Sequence, residues 1–456
     1  MNDIHRIIDS LQTDMTETLK RWITIPSVKV APIGNAPYGA EVDRALKTAL
    51  TDAQKLGFST RDIEGHAGDV RMGPLGADPL GILAHLDIVP AGDGWQMDPF
   101  GAIQEGDRIY GRGTSDNKGP AVAALYAMYA VKQAGIPLRR EVRLILGCDE
   151  ESGMEDMAYY EKHYGLPQTG FSPDATFPVI NTEKGLMRIE LKGDAAKDGL
   201  YVKDIHAGER FNVVPGSASA LIAADAVLCK KIHSLASEMH LQIQAEPETE
   251  DTIRITSTGL AGHAAYPEVT RNAIGQLLLI LRALGVTGPL KTLADCVGME
   301  YNGLNLGIRC LDETSGALTC NLGILRYNDS GLYATLDIRY PLLASADRIL
   351  STIAASIGSH IIISQAEQKE PHHVAPNSQL VTALLDAYHE ETGRKRECLA
   401  IGGGTYARCI KEGVAFGSAF PEDEELAHQA GEYITISCLM QNVRIFANAI
   451  IKLAAL

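Results

Sequence analysis

The segment 79–90, PLGILAHLDIVP, constrains the chain more than any other. Successive side chains of a strand point to opposite faces. Ile82, Ala84, Leu86 and Ile88 therefore share one parity, and Leu83, His85 and Asp87 share the other. His85 and Asp87 should point the same way from one strand end, where Pro90 and the AGDG turn break the run. A second stretch, GRGTSDNKG at 111–119, carries Asp116 at another such boundary between a turn and an apolar segment.

The surrounding pattern sets the fold class. Ile4, Ile7, Ile8, Leu11, Met15, Leu19 and Trp22 recur at helical spacing and predict one amphipathic helix, and 42–56 repeats the pattern. Pro120 stands at the first turn of a helix ended by Gly135. EVRLILGC (141–148) reads as a short strand, 154–164 as a helix and 177–180 as the start of a strand. Strands alternating with helices predict an α/β domain: a mixed, mostly parallel sheet flanked by helices. In such sheets functional groups gather beyond the carboxyl ends of strands, which is where His85, Asp87, Glu150 and Glu151 fall.

Near residue 185 the character changes. RIELKGD and LYATLDIRY alternate polar and apolar residues, and helical patterns at 217–236 and 272–284 lie between them. This predicts an inserted α+β lid domain. Helical patterns at 379–392 and 435–453 return the chain to the first domain. The expected division is 1–185 with 373–456, interrupted by 186–372. A length of 456 residues agrees with more than one core.

A net charge of −16 argues against nucleic acid or an anionic membrane as partner, since both need a basic footprint. No apolar run reaches the roughly 18 residues that span a bilayer, and the first residues carry no secretion signal pattern. The eight cysteines are scattered without a CxxC pair, which reads as free thiols in a reducing cytosol. A cytoplasmic protein is expected.

His85, Asp116, Glu151, Asp174 and His428 offer imidazole and carboxylate donors without sulfur, a mix that suits zinc, manganese or cobalt. Five donors are many for one catalytic ion that must keep an open position. They are enough for two ions about 3.5–4 Å apart if one carboxylate bridges, and such a pair activates water and polarises a carbonyl. Glu150, adjacent to Glu151, could act as general base, and Asp87 could orient the His85 ring. Taken singly, each piece has a plain structural reading: a strand-end histidine, a solvated acidic turn, an ordinary glycine turn.

Their combination and order resemble a family of metallopeptidases and deacylases that includes aminoacylase, acetylornithine deacetylase, glutamate carboxypeptidase and the peptidase V-type dipeptidases. The matching segments are HLDIVP, GRGTSDNKG, DEESG, SPDATFPVINTEKG and HQAGEY. GDGWQMDPFGA and IGGGTYAR bring the peptidase V type nearest, and RFNVVPG, LAGHAAYPEVTRNA and ATLDIRYP carry a thinner likeness through the insertion.

The resemblance implies that His85, Asp116 and Asp174 hold one ion and that Asp116, Glu151 and His428 hold the other, with Asp116 bridging. It implies two divalent ions, zinc first, with manganese or cobalt as alternatives. Glu150 would be the base, Asp87 the orienting carboxylate, and the Asp116–Asn117 peptide cis. From the lid, His263 would polarise the scissile carbonyl, Asn212 would assist substrate binding, and Arg339 would meet a substrate carboxylate. The backbone of Gly402, Gly403, Gly404 and Thr405, expected in the catalytic domain, could also receive that carboxylate. Two positions depart from the usual pattern: Asn117 stands where many peptidase V-like sequences have aspartate, and Gly431 where an acidic residue is common.

The expected activity is hydrolysis of dipeptides with a free amino terminus, by water bridging the ions and activated by Glu150. The substrate partner is a small peptide, and the long insertion points to a monomer, with a dimer as the alternative. An N-acyl-amino-acid deacylase (desuccinylase or deacetylase type) shares the same metal core. A non-catalytic metal-binding scaffold is the more distant reading.

Overall fold

In the computed structural model, which describes residues 2–76 and 78–454, the apolar run becomes strand β1 (Leu80–His85), buried along its whole length. Two cores explain that burial. Leu80, Ile82 and Ala84 join the larger core. Leu83, of the opposite parity, joins a smaller one with Ile63, Ile145, Met157 and Tyr406. Each buried leucine or isoleucine here contributes about 1.5–3 kcal/mol relative to exposure, and a slip of one residue would exchange the two faces between the cores.

β2 (Val142–Gly147) and β3 (Thr169–Ser172) flank β1 and run parallel to it. β4 (Glu412–Ala415) continues the parallel run beside β3. Antiparallel strands extend the sheet: Ala67–Met72 on β2, Ser59–Ile63 beyond it, and Val179–Glu183 on β4; His372–His373 and Cys398–Ile401 pair with the last of these. The sheet is mixed with a parallel centre, as the alternation of strands and helices predicts. His85 pairs in register with Gly147. The turns that follow β1 and β2 therefore leave the sheet side by side.

Helix α1 (Lys118–Gln133) begins directly after Asn117 and is buried over most of its surface, as an apolar-all-round helix must be. It packs against α2 (Ile436–Ala454). Among the described residues no helix is long and apolar enough to cross a membrane.

The chain divides into two compact units. One comprises Met1–Asn181, His373–Leu399 and Gly404–Leu456; the other comprises Thr182–His372 and Ala400–Gly403. The expected outer ends, residues 1 and 455–456, lie outside the described residues. The second unit holds an eight-stranded sheet whose strand pairs are antiparallel. From Gly185 to Leu191 buried and half-buried residues alternate, the pattern of a sheet with one covered face.

Three sequence expectations need correction. The first amphipathic pattern is two helices, Asn2–Ser10 and Gln12–Ile23; the Leu11 amide turns back to the Ile8 carbonyl (3.0 Å) and breaks the run. The segment 217–236 is not one helix. Ser217–Ala223 is a strand with alternating burial, and the helix is Val227–Glu238. Its alanines favour helix, but pairing with Val202–Ala207 and Thr252–Thr258 on both sides overrides that propensity. Residues 182–185 and 400–403, expected in the first domain, belong to the second unit. Lys184 N–H donates to the Ile401 carbonyl (2.9 Å) and the Arg339 guanidinium to that of Gly402 (2.9 Å).

β1 and β3 approach closely where Gly81 pairs with Gly170. A Cβ on Gly170 would stand 2.2 Å from the Gly81 carbonyl oxygen, a backbone atom that cannot swing away. Gly170→Ala is expected to lower unfolding free energy by about 1–3 kcal/mol, measured by urea denaturation; an unchanged midpoint would contradict this packing.

Candidate metal centre

β1 carries His85 at its carboxyl end, on the parity of Leu83 and T-shaped to the Tyr406 ring (centroids 6.3 Å apart). Its Nδ1–H donates to the Asp87 main-chain carbonyl (3.0 Å). That bond fixes the ring orientation and leaves Nε2 facing the site. Nε2 lies 3.0 Å from Asp116 Oδ1 and 3.6 Å from Asp174 Oδ1. On the other side, His428 Nε2 lies 3.0 Å from Asp116 Oδ2 and 3.1 Å from Glu151 Oε2. Asp116 thus turns one oxygen to each imidazole.

In each of two triads, His85–Asp116–Asp174 and Asp116–Glu151–His428, one donor atom from every residue lies within 4.8 Å of the others. The Asp116–Asn117 peptide is cis. Asn117, fully buried, accepts from His85 N–H (3.2 Å) and donates to Asp174 Oδ1 (3.0 Å) and the Pro173 carbonyl (2.8 Å).

The electrostatics reflect crowding of like charges. Burial, then the charge of Asp174 and those of Glu151 and Asp116, pushes the Glu150 carboxyl well above the usual range, against the pull of His85. Burial and Asp116 push Glu151 up to about 7, although His428 opposes. Burial also raises Asp174, against His85. Burial disfavours the imidazolium of both histidines, but the facing carboxylates outweigh it, raising His85 well above its ordinary value and His428 to about 11. Asp116 is held low by its two imidazole partners despite burial.

Four carboxyl groups in one place are a poor arrangement for protons alone and a good one for divalent cations. The oxygen and nitrogen donor set fits zinc, manganese or cobalt. The neighbouring Cys148 thiol is fully buried and pushed well up by that burial, so it stays neutral and offers no thiolate.

Behind the donors, buried carboxylates hold the turn after β2. Asp87 accepts from the Glu150 and Glu151 amides (3.2 and 3.1 Å), while its Oδ1 lies 3.5 Å from His85 Nδ1. Asp156 accepts from the Cys148 and Asp149 amides (2.6 and 3.0 Å) and from the Tyr406 hydroxyl. Among the described residues the Glu150 side chain accepts no hydrogen bond. Asp156, Tyr406 and Lys118 were not singled out from the sequence. Lys118 is fully buried beside Asn117, donates to the Trp22 and Ile25 carbonyls (3.1 and 2.7 Å), and is pushed down to about 7 by burial. Their only sequence signal is position: Asp156 lies five residues after Glu151, Tyr406 follows Thr405 and Lys118 follows Asn117.

The first unit brings together His85, Asp87, Asp116, Glu150, Glu151, Asp174 and His428. The remaining candidates divide. His263 ends the short strand Gly262–His263, paired with Val213–Val214. Its Nδ1 accepts from Ala265 N–H (3.2 Å), and the adjacent Ala264 N–H donates to the Asn212 carbonyl (2.9 Å), so His263 and Asn212 lie together. Arg339 is buried. It grips Asp337 through Nε (2.6 Å) and Nη2 (2.8 Å) while Nη1 donates to Gly402. Gly402 and Gly403 fall in the second unit, Gly404 and Thr405 in the first. The Thr405 hydroxyl accepts from Ala407 N–H (3.1 Å) and caps the short helix Tyr406–Cys409.

Ligation needs neutral imidazoles and an ionised Glu151, whereas the facing carboxylates favour protons on both imidazoles, and burial favours one on Glu151 below about pH 7. An incoming ion must displace them, so affinity should rise with pH. Apparent zinc affinity is expected to climb by about tenfold per pH unit for each proton released, across about pH 6 to 8. Competition against a chelator measures it; pH-independent binding would contradict this protonation pattern.

Residues 81–452 match the Peptidase family M20/M25/M40. The chain is 37% identical over 435 residues to the Bacillus subtilis (strain 168) protein named "Putative dipeptidase YtjP", covering 92% of each. It is 33% identical over 434 residues to the Beta-Ala-Xaa dipeptidase of Lactobacillus delbrueckii subsp. lactis, covering 92% of this chain and 90% of that one. In fold it is similar to human carnosine dipeptidase 1, with a TM-score of 0.61 at 15% identity over 100% of this chain and 99% of that one. The sheet with its strand-end cluster of carboxylates and imidazoles, and the match over most of the chain, lead to one conclusion: the protein belongs to the Peptidase family M20/M25/M40, and is a metallopeptidase.

Proposed function

We propose that the protein is a dipeptidase that holds two divalent ions, zinc first, and cleaves the peptide bond of small peptides with a free amino terminus. The observation that carries this reading is the division of Asp116: Oδ1 faces His85 and Oδ2 faces His428, each at 3.0 Å. A carboxylate so placed suits a ligand shared by two ions. Relatives at 33–37% identity bear dipeptidase names, which supports unblocked dipeptides as substrates.

Bound ions would supply Lewis acidity, lowering the pKa of water and polarising the scissile carbonyl. The chain's own residues do the rest. His85, Asp174 and Asp116 would hold one ion; Asp116, Glu151 and His428 the other. Glu150 takes a proton from the attacking water and returns it to the nitrogen of the departing amine, as the C–O bond forms and the C–N bond breaks. A group that must take and then give a proton works best with a pKa near the working pH, and burial pushes Glu150 in that direction. Asp87 keeps the Glu150 and Glu151 amides fixed, so the base and the adjacent ligand hold separate directions. For His263, Asn212, Arg339 and the backbone of Gly403, Gly404 and Thr405, the family resemblance supports roles toward the substrate: carbonyl polarisation by His263 and carboxylate recognition by Arg339 and the glycine backbone.

The test offers purified enzyme unblocked α-dipeptides, β-alanyl dipeptides and N-acetyl or N-succinyl amino acids side by side. Hydrolysis of the unblocked dipeptides is expected. Glu150→Gln should lose about 10²–10⁴-fold in kcat with its metal content intact. Turnover of the N-acyl amino acids alone would replace the dipeptidase by a deacylase. Undiminished turnover by Glu150→Gln would remove Glu150 as the base.

A further inference from the structure

We propose that Glu432 is a positioning residue for the metal centre: its carboxylate shapes the turn that presents Asp116 and ties that turn to the segment carrying His428. Glu432 is completely buried. Its Oε1 accepts from the amides of Gly113 (3.1 Å), Ser115 (2.8 Å) and Asp116 (3.2 Å) and from the Ser115 hydroxyl (3.0 Å). Its Oε2 accepts from Gly113 N–H (3.1 Å) and from Arg112 Nη1 (2.6 Å). Converging amides of one turn make an anion-binding concavity, and here the anion is a side chain of the protein.

The main chain repeats the tie. The Gly111 amide donates to the Glu432 carbonyl (2.9 Å), and Tyr433 and Ile434 pair with Tyr110 and Ile109. Arg112, itself buried, balances the charge and passes a second bond to the Ala91 carbonyl (3.1 Å). With both oxygens so occupied, Glu432 stands outside either triad of candidate ligands. It acts through Asp116, whose amide it fixes. His428 precedes it by four positions in the same segment, so one short stretch supplies a donor of one triad and anchors the residue common to both.

Glu432→Gln keeps the shape but turns an N–H2 toward peptide N–H groups and leaves Arg112 unbalanced. Glu432→Asp keeps the charge and draws it back by about 1.5 Å, one C–C bond. The inference rests on the reading that Asp116 serves two ions, and cobalt(II) titration of metal-free wild-type protein tests that reading by itself. Two equivalents uphold it; fewer would overturn it and this inference with it.

For Glu432→Gln, about 10–100-fold weaker binding of both equivalents is expected, with an altered cobalt d–d spectrum. Glu432→Asp should fall between it and wild type. A merely structural role would lower thermal stability and leave the spectrum unchanged. Two equivalents bound by both variants with wild-type affinity and spectrum would overturn the proposal, whatever their melting temperatures. Where Glu432→Gln does not fold, the spectrum of Glu432→Asp decides.

Discussion

The repulsion among Asp116, Glu150, Glu151 and Asp174 is the constraint on which the rest of the site depends. Carboxylates this close in a partly buried place cannot all ionise without a compensating cation. That repulsion and burial push the carboxyl groups of Glu150, Glu151 and Asp174 up, and the facing carboxylates raise His85 and His428. Divalent ions would exchange protons for coordination. That exchange requires donors fixed before the ion arrives, since side chains free to turn away would relieve the repulsion by leaving.

The scaffold answers that need with buried acceptors aimed at backbone amides rather than at the ions. Asp87 holds the amides of 150 and 151, Asp156 those of 148 and 149, and Glu432 those of 113, 115 and 116. The turns that deliver Asp116 and Glu151 are thus gripped from behind by carboxylates of their own. These carboxyl groups face N–H groups, and Glu432 also faces Arg112. His428 sits in the left-handed backbone region (φ 64°), a conformation that costs a residue with a side chain about 1–3 kcal/mol. Pairing of its segment with 108–110 just downstream helps to hold it there.

Much of this was legible in the sequence because the parallel sheet writes itself as apolar runs ending in polar residues. β1, α1, α2 and the helix Gln379–Thr392 follow from periodicity and from Gly and Pro punctuation. The candidate donors were legible through their order along the chain rather than through any single motif. Asp156, Tyr406 and the grip of Glu432 were not, since an isolated buried polar residue has no periodic signature and its partners are distant in sequence. Parity placed Asp87 beside His85, but the strand ends at His85. The main-chain carbonyl of Asp87 therefore takes the ring N–H, and its carboxylate is freed for the next turn. The alanines of 217–223 misled for a related reason: strand pairing on both sides is invisible to local propensity.

The central claim is that Asp116 is one carboxylate shared by two ions. Anomalous diffraction from zinc-soaked crystals, recorded above and below the zinc absorption edge, tests it most directly. The account predicts two anomalous peaks about 3.5–4 Å apart, one beside His85 and Asp174 and one beside His428 and Glu151, with an Asp116 oxygen bound to each. A single peak, or two peaks with Asp116 bound to only one, would contradict it.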